Sequence, residues 1–65
     1  MTYKVTQVRI SSHWQDNKFN VDLLAWQGKK YLVYRQAFAI SKQDADQQAK
    51  EQSNLFNAKI VEVLT

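Results

Sequence analysis

The sequence predicts an α+β fold: a single domain over residues 1–65, ordered β-β-β-α-β, with one mostly antiparallel four-stranded sheet and a single helix packed on one face. Three observations carry that expectation. Only residues 41–56 have helical spacing. Four apolar runs with strand-like patterning surround them. One glycine, no proline and 45% hydrophobic residues describe an ordered globule near the lower size limit for folding without staples.

Residues 3–10 read as the first strand. Tyr3 and Val5 share one face, while Val8 and Ile10 share the other. The phase slips near Thr6 and Gln7, which calls for a bulge there or for burial on both sides. Residues 11–18 form a polar connection holding His13, Trp14 and Asp16. Trp14 is either folded back over the sheet edge or offered to a partner, and large aromatic side chains usually find cover.

The clearest strand is 19–26, with Phe19, Val21, Leu23 and Ala25 on one face and Asn20, Asp22, Leu24 and Trp26 on the other. Gln27 and Gly28 supply a tight turn, since the only glycine stands where positive φ is needed. Residues 29–40 return as a third strand. A two-residue loop puts Leu32 and Tyr34 beside Leu23 and Val21, and Lys29, Tyr31, Val33 and Arg35 on the face of Leu24 and Trp26. A three-residue loop swaps the two sets, and the residue pattern fits both.

Ser41 and Asp44 have the spacing of a capping box, and Asp44 and Asp46 suit the positive end of the helix dipole. Ala45, Ala49 and Phe56 make a narrow stripe that would be marginal alone and must dock closely on a sheet. Asp46 and Lys50 are spaced as a favourable ion pair. The Gln-rich opposite side reads as solvated surface. Residues 59–64 close the chain, with Ile60 and Leu64 on one side and Val61 and Val63 on the other, a pattern for a central or parallel strand. Pairing it with the first strand gives the order 3-2-1-4, with the fourth strand parallel to the first and third.

Positive charge is concentrated on the strands. Residues 1–40 carry six Lys and Arg against two Asp, whereas residues 41–65 carry three Lys against four acids. Such a distribution biases encounter toward phosphates or acidic proteins. No cysteine is present, so there is neither a disulfide framework nor a thiolate metal site, and a cytoplasmic location is expected. No stretch approaches the length of a membrane span, and residues 1–10 lack a signal-peptide core. A lone His13 makes no metal site. With no Gly-rich phosphate loop and no carboxylate pair beyond the helix start, the expectation is a non-enzyme without cofactor, metal or small-molecule substrate.

One helix covers one sheet face, so Leu24, Trp26, Tyr31 and Val33 are left for a partner. Trp26, Lys29, Lys30, Tyr31 and Arg35 are the candidate partner-binding residues, with Arg9, His13, Trp14 and Lys18 as a surrounding ring. Three occupants suit a basic-aromatic face: another protein or a nucleoprotein complex, DNA, or a second copy packed sheet on sheet into a dimer.

Two resemblances sharpen this. Phe19-Asn20-Val21, Gly28-Lys29-Lys30, Phe38, Ser41-Lys42 and Asp44-Ala45 resemble the arm DNA-binding domain of tyrosine-type phage integrases, which reads the major groove with a three-stranded sheet. The departure is Tyr31-Leu32-Val33-Tyr34, which is apolar where that family is rich in Lys and Arg. Ala39-Ile40-Ser41, Ala45, Ala49 and Ile60-Val61-Glu62-Val63 resemble the ββαβ pattern of very short phage and mobile-element proteins, some anti-CRISPR proteins among them. That resemblance implies an inhibitor that occupies a surface of host nucleic-acid-handling machinery. The leading expectation is therefore a non-enzymatic binding protein of this type; direct DNA binding and self-association are the alternatives.

Overall fold

The computed structural model describes residues 4–63. Strands β1 (Lys4–Ser12), β2 (Phe19–Gln27) and β3 (Lys30–Ile40) are followed by helix α1 (Lys42–Phe56) and strand β4 (Lys59–Val63). The sheet order is β3-β2-β1-β4. Neighbours β1/β2 and β2/β3 are antiparallel, while β4 runs parallel to β1. The α+β class, the element order and the strand order all match the sequence expectation. Of the two settings that the two-sided apolarity of β4 suits, central or parallel, the structure has the parallel one, with β4 at the sheet edge as the order 3-2-1-4 requires.

The slip in β1 is a bulge. Val5 faces Ala25 and Gln7 faces Leu24, so Thr6 is the extra residue. Inserting it turns Val5 onto the face of Val8 and Ile10, which oppose Leu23 and Val21. Thr6 Oγ1 donates to the Leu24 carbonyl at 3.4 Å. Tyr3 and Leu64, which the pattern places on the first and last strands, lie outside the described residues.

The hairpin turn sits one residue later than expected. Gln27 pairs with Lys30, leaving Gly28 and Lys29 as the two-residue loop. Gly28 has φ +62° at the first central position, as a type II′ turn requires. The facing assignment for two-residue loops holds, but Leu32 meets Ala25 and Tyr34 meets Leu23, and Lys29 belongs to the turn.

Near its far end β3 is less regular than its sequence suggests. Register shifts separate the Asp22–Arg35, Val21–Ala37 and Phe19–Ile40 pairs. Within this irregular segment Ala39 has φ +57°, and its N–H donates to Asn20 Oδ1 at 3.1 Å. A Cβ is strained in that region of backbone space. Replacing Ala39 with Gly is expected to raise unfolding free energy by about 0.5–1 kcal/mol, after the cost of a freer unfolded chain; urea denaturation measures it.

Ser41 caps α1 from outside it, its side chain accepting from the Asp44 N–H at 3.2 Å. Asp46 pairs with Lys42 at 2.8 Å, in place of the expected Lys50. The same Lys42 ammonium reaches Glu62 on β4 at 3.2 Å. The hydrogen bonds that Lys42 donates to these two carboxylates, Asp46 first, raise its pKa above the ordinary value. The helix ends where Asn57 turns left-handed at φ 53° and the Ala58 N–H closes on the Ser53 carbonyl at 3.0 Å. Ala45 and Ala49 are fully buried and share one core with Val8, Ile10, Val21, Leu23 and Ala58. A larger side chain at either alanine would hold the helix off the strands.

Candidate interaction surface on the open sheet face

The residues alternating with that core form the second sheet face, built in rows across the strands. Nearest the hairpin, Lys4, Trp26 and Tyr31 stand side by side. The next row is Lys59, Gln7, Leu24 and Val33, followed by Val61, Arg9, Asp22 and Arg35. Leu24 is buried, but Trp26 is 44% exposed, Tyr31 38% and Val33 56%. The indole and phenol rings meet edge to face with centroids 4.5 Å apart. That contact orients both rings without hiding them.

The third row contains a feature the local sequence does not advertise. Asp22 is only 1% exposed, and both its neighbours are arginines. Arg35 Nε donates to Asp22 Oδ1 at 3.0 Å, and an Arg9 guanidinium nitrogen lies 3.5 Å from Oδ2. Arg9 Nε is itself buried without a hydrogen-bond partner, so Arg35 makes the better bond. Both arginines are thus held by a buried carboxylate. Their net contribution to the field of the face is that of one cation.

On this face the positive charge that Asp22 does not hold is at the hairpin end. Lys4, Lys29, Lys30 and Lys59 are all exposed there, around the Trp26–Tyr31 pair. Among the described residues the acids other than Asp22 lie elsewhere: Asp16 in the β1–β2 loop, Asp44, Asp46 and Glu51 on the helix, and Glu62 with Lys42. Lys4 and Lys59 were absent from the sequence-based candidates because only the β1–β2 and β1–β4 pairings bring them here. Lys30 alternates with Tyr31, so its stem starts from the core side of the strand.

The nine expected binding residues do not form one site. His13, Trp14 and Lys18 lie at the opposite end of the sheet, beyond Asn20, about 20 Å from Trp26 along β2. Trp14 is 82% exposed, against the expectation that it would be covered. Its ring leans on His13 at 5.2 Å, and Phe38 completes the group at 6.2 Å from His13. The loop is too short and polar to offer the indole a pocket. His13 Nδ1 lies 3.1 Å from Asn20 Oδ1, an oxygen already accepting the Ala39 N–H, so the imidazole proton belongs on Nδ1.

A second opening was not anticipated. On the core side, an apolar groove of about 660 Å³ opens between Phe56, Val5, Ala25, Leu32 and Tyr34. Tyr34 is 65% exposed at its rim. No group of His, Cys, Asp and Glu suited to a metal ion occurs among the described residues, and no helix among them is long and apolar enough to cross a membrane. Comparison with protein-family models, with curated proteins and with solved structures gives no match.

Proposed function

We propose that this chain is a small non-enzymatic binding protein that docks the hairpin end of its open sheet face on an anionic protein or nucleoprotein partner. The observation that carries this reading is the half-exposed Trp26–Tyr31 pair set among Lys4, Lys29, Lys30 and Lys59. An aromatic pair supplies apolar contact area at little entropic cost, and unpaired lysines steer and orient an acidic surface. Inhibition of host nucleic-acid-handling machinery, in the manner of an anti-CRISPR protein, is the specific form suggested by the ββαβ resemblance alone. Direct DNA binding is the second reading, favoured by the same four lysines, although the clamping of Arg9 and Arg35 by Asp22 removes the side chains best suited to base edges.

Reversing Lys29, Lys30 and Arg35 would confound binding with folding, because a glutamate at 35 would face the buried Asp22. The appropriate variant is Lys4→Glu, Lys29→Glu, Lys30→Glu and Lys59→Glu together. Wild-type protein immobilised in a host lysate is expected to retain a defined nucleic-acid-handling complex, which the quadruple variant loses while keeping its circular dichroism spectrum. Equal retention by both proteins would overturn the site. Retention that vanishes after nuclease treatment, with a duplex mobility shift that weakens steeply with salt, would select the DNA reading.

A further inference from the structure

Among the described residues the sheet has two unpaired edges, and they differ. Edge β4 has five residues, two of them charged, and Lys42 reaches across from the helix to its Glu62. Such an edge resists strand addition. Edge β3 has eleven residues, no proline and a central apolar run, Tyr31-Leu32-Val33-Tyr34. It is bordered by exposed apolar surface on both sides: Tyr31 and Val33 on the open face, Leu32 and Tyr34 on the groove.

The hairpin decides which backbone groups face outward. In a two-residue loop the closing pair, here Gln27 and Lys30, exchanges both of its hydrogen bonds. Lys30, Leu32 and Tyr34 therefore bond inward to β2, and Tyr31, Val33 and Arg35 present unpaired N–H and C=O groups at the edge. These three residues form a set that is its own complement when reversed about Val33.

We infer that β3 pairs antiparallel with β3 of a second copy of this chain, on a twofold axis at Val33. Val33 then hydrogen-bonds to the second copy's Val33, and Tyr31 to the second copy's Arg35, in both directions. Side chains agree with the backbone. Each Arg35 comes opposite a Tyr31 on the open face, so a cation is set next to an aromatic residue rather than next to another cation. Each Leu32 stands beside a Tyr34, which closes the groove from its open side. Lys30 meets Gln36, so no like charges are opposed. Shifting the axis to Arg35 would set the two arginines directly against each other, and shifting it to Tyr31 would run the pairing off the end of the turn. A twofold perpendicular to the sheet leaves both open faces on the same side, joined into one eight-stranded platform.

Sedimentation of the full chain from micromolar to sub-millimolar concentration tests this without any ligand. The mass is expected to rise toward twice the 7.6 kDa of one chain. Val33→Pro removes the central outward N–H, which the protomer does not use, and is expected to hold the mass at that of one chain. Val33→Lys, at a position 56% exposed, sets two ammonium groups on the axis and is expected to do the same; it serves if the proline variant fails to fold. A wild-type monomer throughout the range would overturn the inference. So would a dimer that survives Val33→Lys, or one abolished by Trp26→Lys with Val33→Pro still dimeric, which would mean sheet-on-sheet packing. The lysine-reversed quadruple variant should still dimerise, so this inference and the proposed function fail separately.

Discussion

Replacing Asp22 with Ala is expected to lower unfolding free energy by about 2–3 kcal/mol, because it leaves two guanidinium groups facing each other over a buried gap. Removing one partner of a fully buried ion pair costs about 3–5 kcal/mol. The lower figure applies here because the Arg35 and Arg9 side chains remain 53% and 36% exposed and retain water. A domain of this size has only about 3–5 kcal/mol to lose. The variant should therefore be substantially unfolded at moderate urea concentrations that leave the wild type intact. Asp22→Asn keeps hydrogen-bond acceptance without the charge and should cost about half as much. A change below about 0.5 kcal/mol in Asp22→Ala would show that the arginines find equivalent partners in solvent.

Ala49→Leu should cost about 2–3 kcal/mol, in the upper part of the range for overpacking. Ala49 is completely buried in the cluster of Val8, Ile10, Val21 and Leu23. Added methylenes have no void to enter there, so the helix must tilt away from the strands. Gln47→Leu, on the exposed side of the same helix, should change stability by less than about 0.5 kcal/mol. Thermal unfolding of the two variants separates close packing from helix propensity, since both gain the same side chain. Equal stabilities would mean that the alanine stripe is not in close contact with the sheet.

Local patterns were sufficient for the elements. Ser41 and Asp44 announced the cap, the phase change at Thr6 called for a bulge or for burial on both sides, of which the structure has the bulge, and Gly28 announced the hairpin to within one residue. Strand order followed because a fourth strand apolar on both sides suits a parallel neighbour, and β4 does lie parallel to β1. What spacing could not convey was who stands opposite whom. Arg9, Asp22 and Arg35 come from three strands, and their meeting depends on two independent registers. Lys4 and Lys59 reach the hairpin end by the same route. Of the two placements open to Trp14, the structure has the exposed one, because cover for an indole depends on where neighbouring segments pass and none of the described residues covers this one. The irregular end of β3 was missed because the αL residue there is Ala39 rather than a glycine.

The parallel pairing of β4 with β1 also has a kinetic meaning. Gln7 and Lys59, about fifty residues apart, are ladder partners, so this join is the most remote in the sheet and its loop-closure entropy is the largest. Until it forms, β1 has an uncovered flank beside a hairpin already capable of assembling locally. Time-resolved hydrogen exchange should find the amides of β4 acquiring protection last, after those shared by β2 and β3. A chain emerging from the ribosome would stay open along that seam until residues 59–63 clear the exit tunnel.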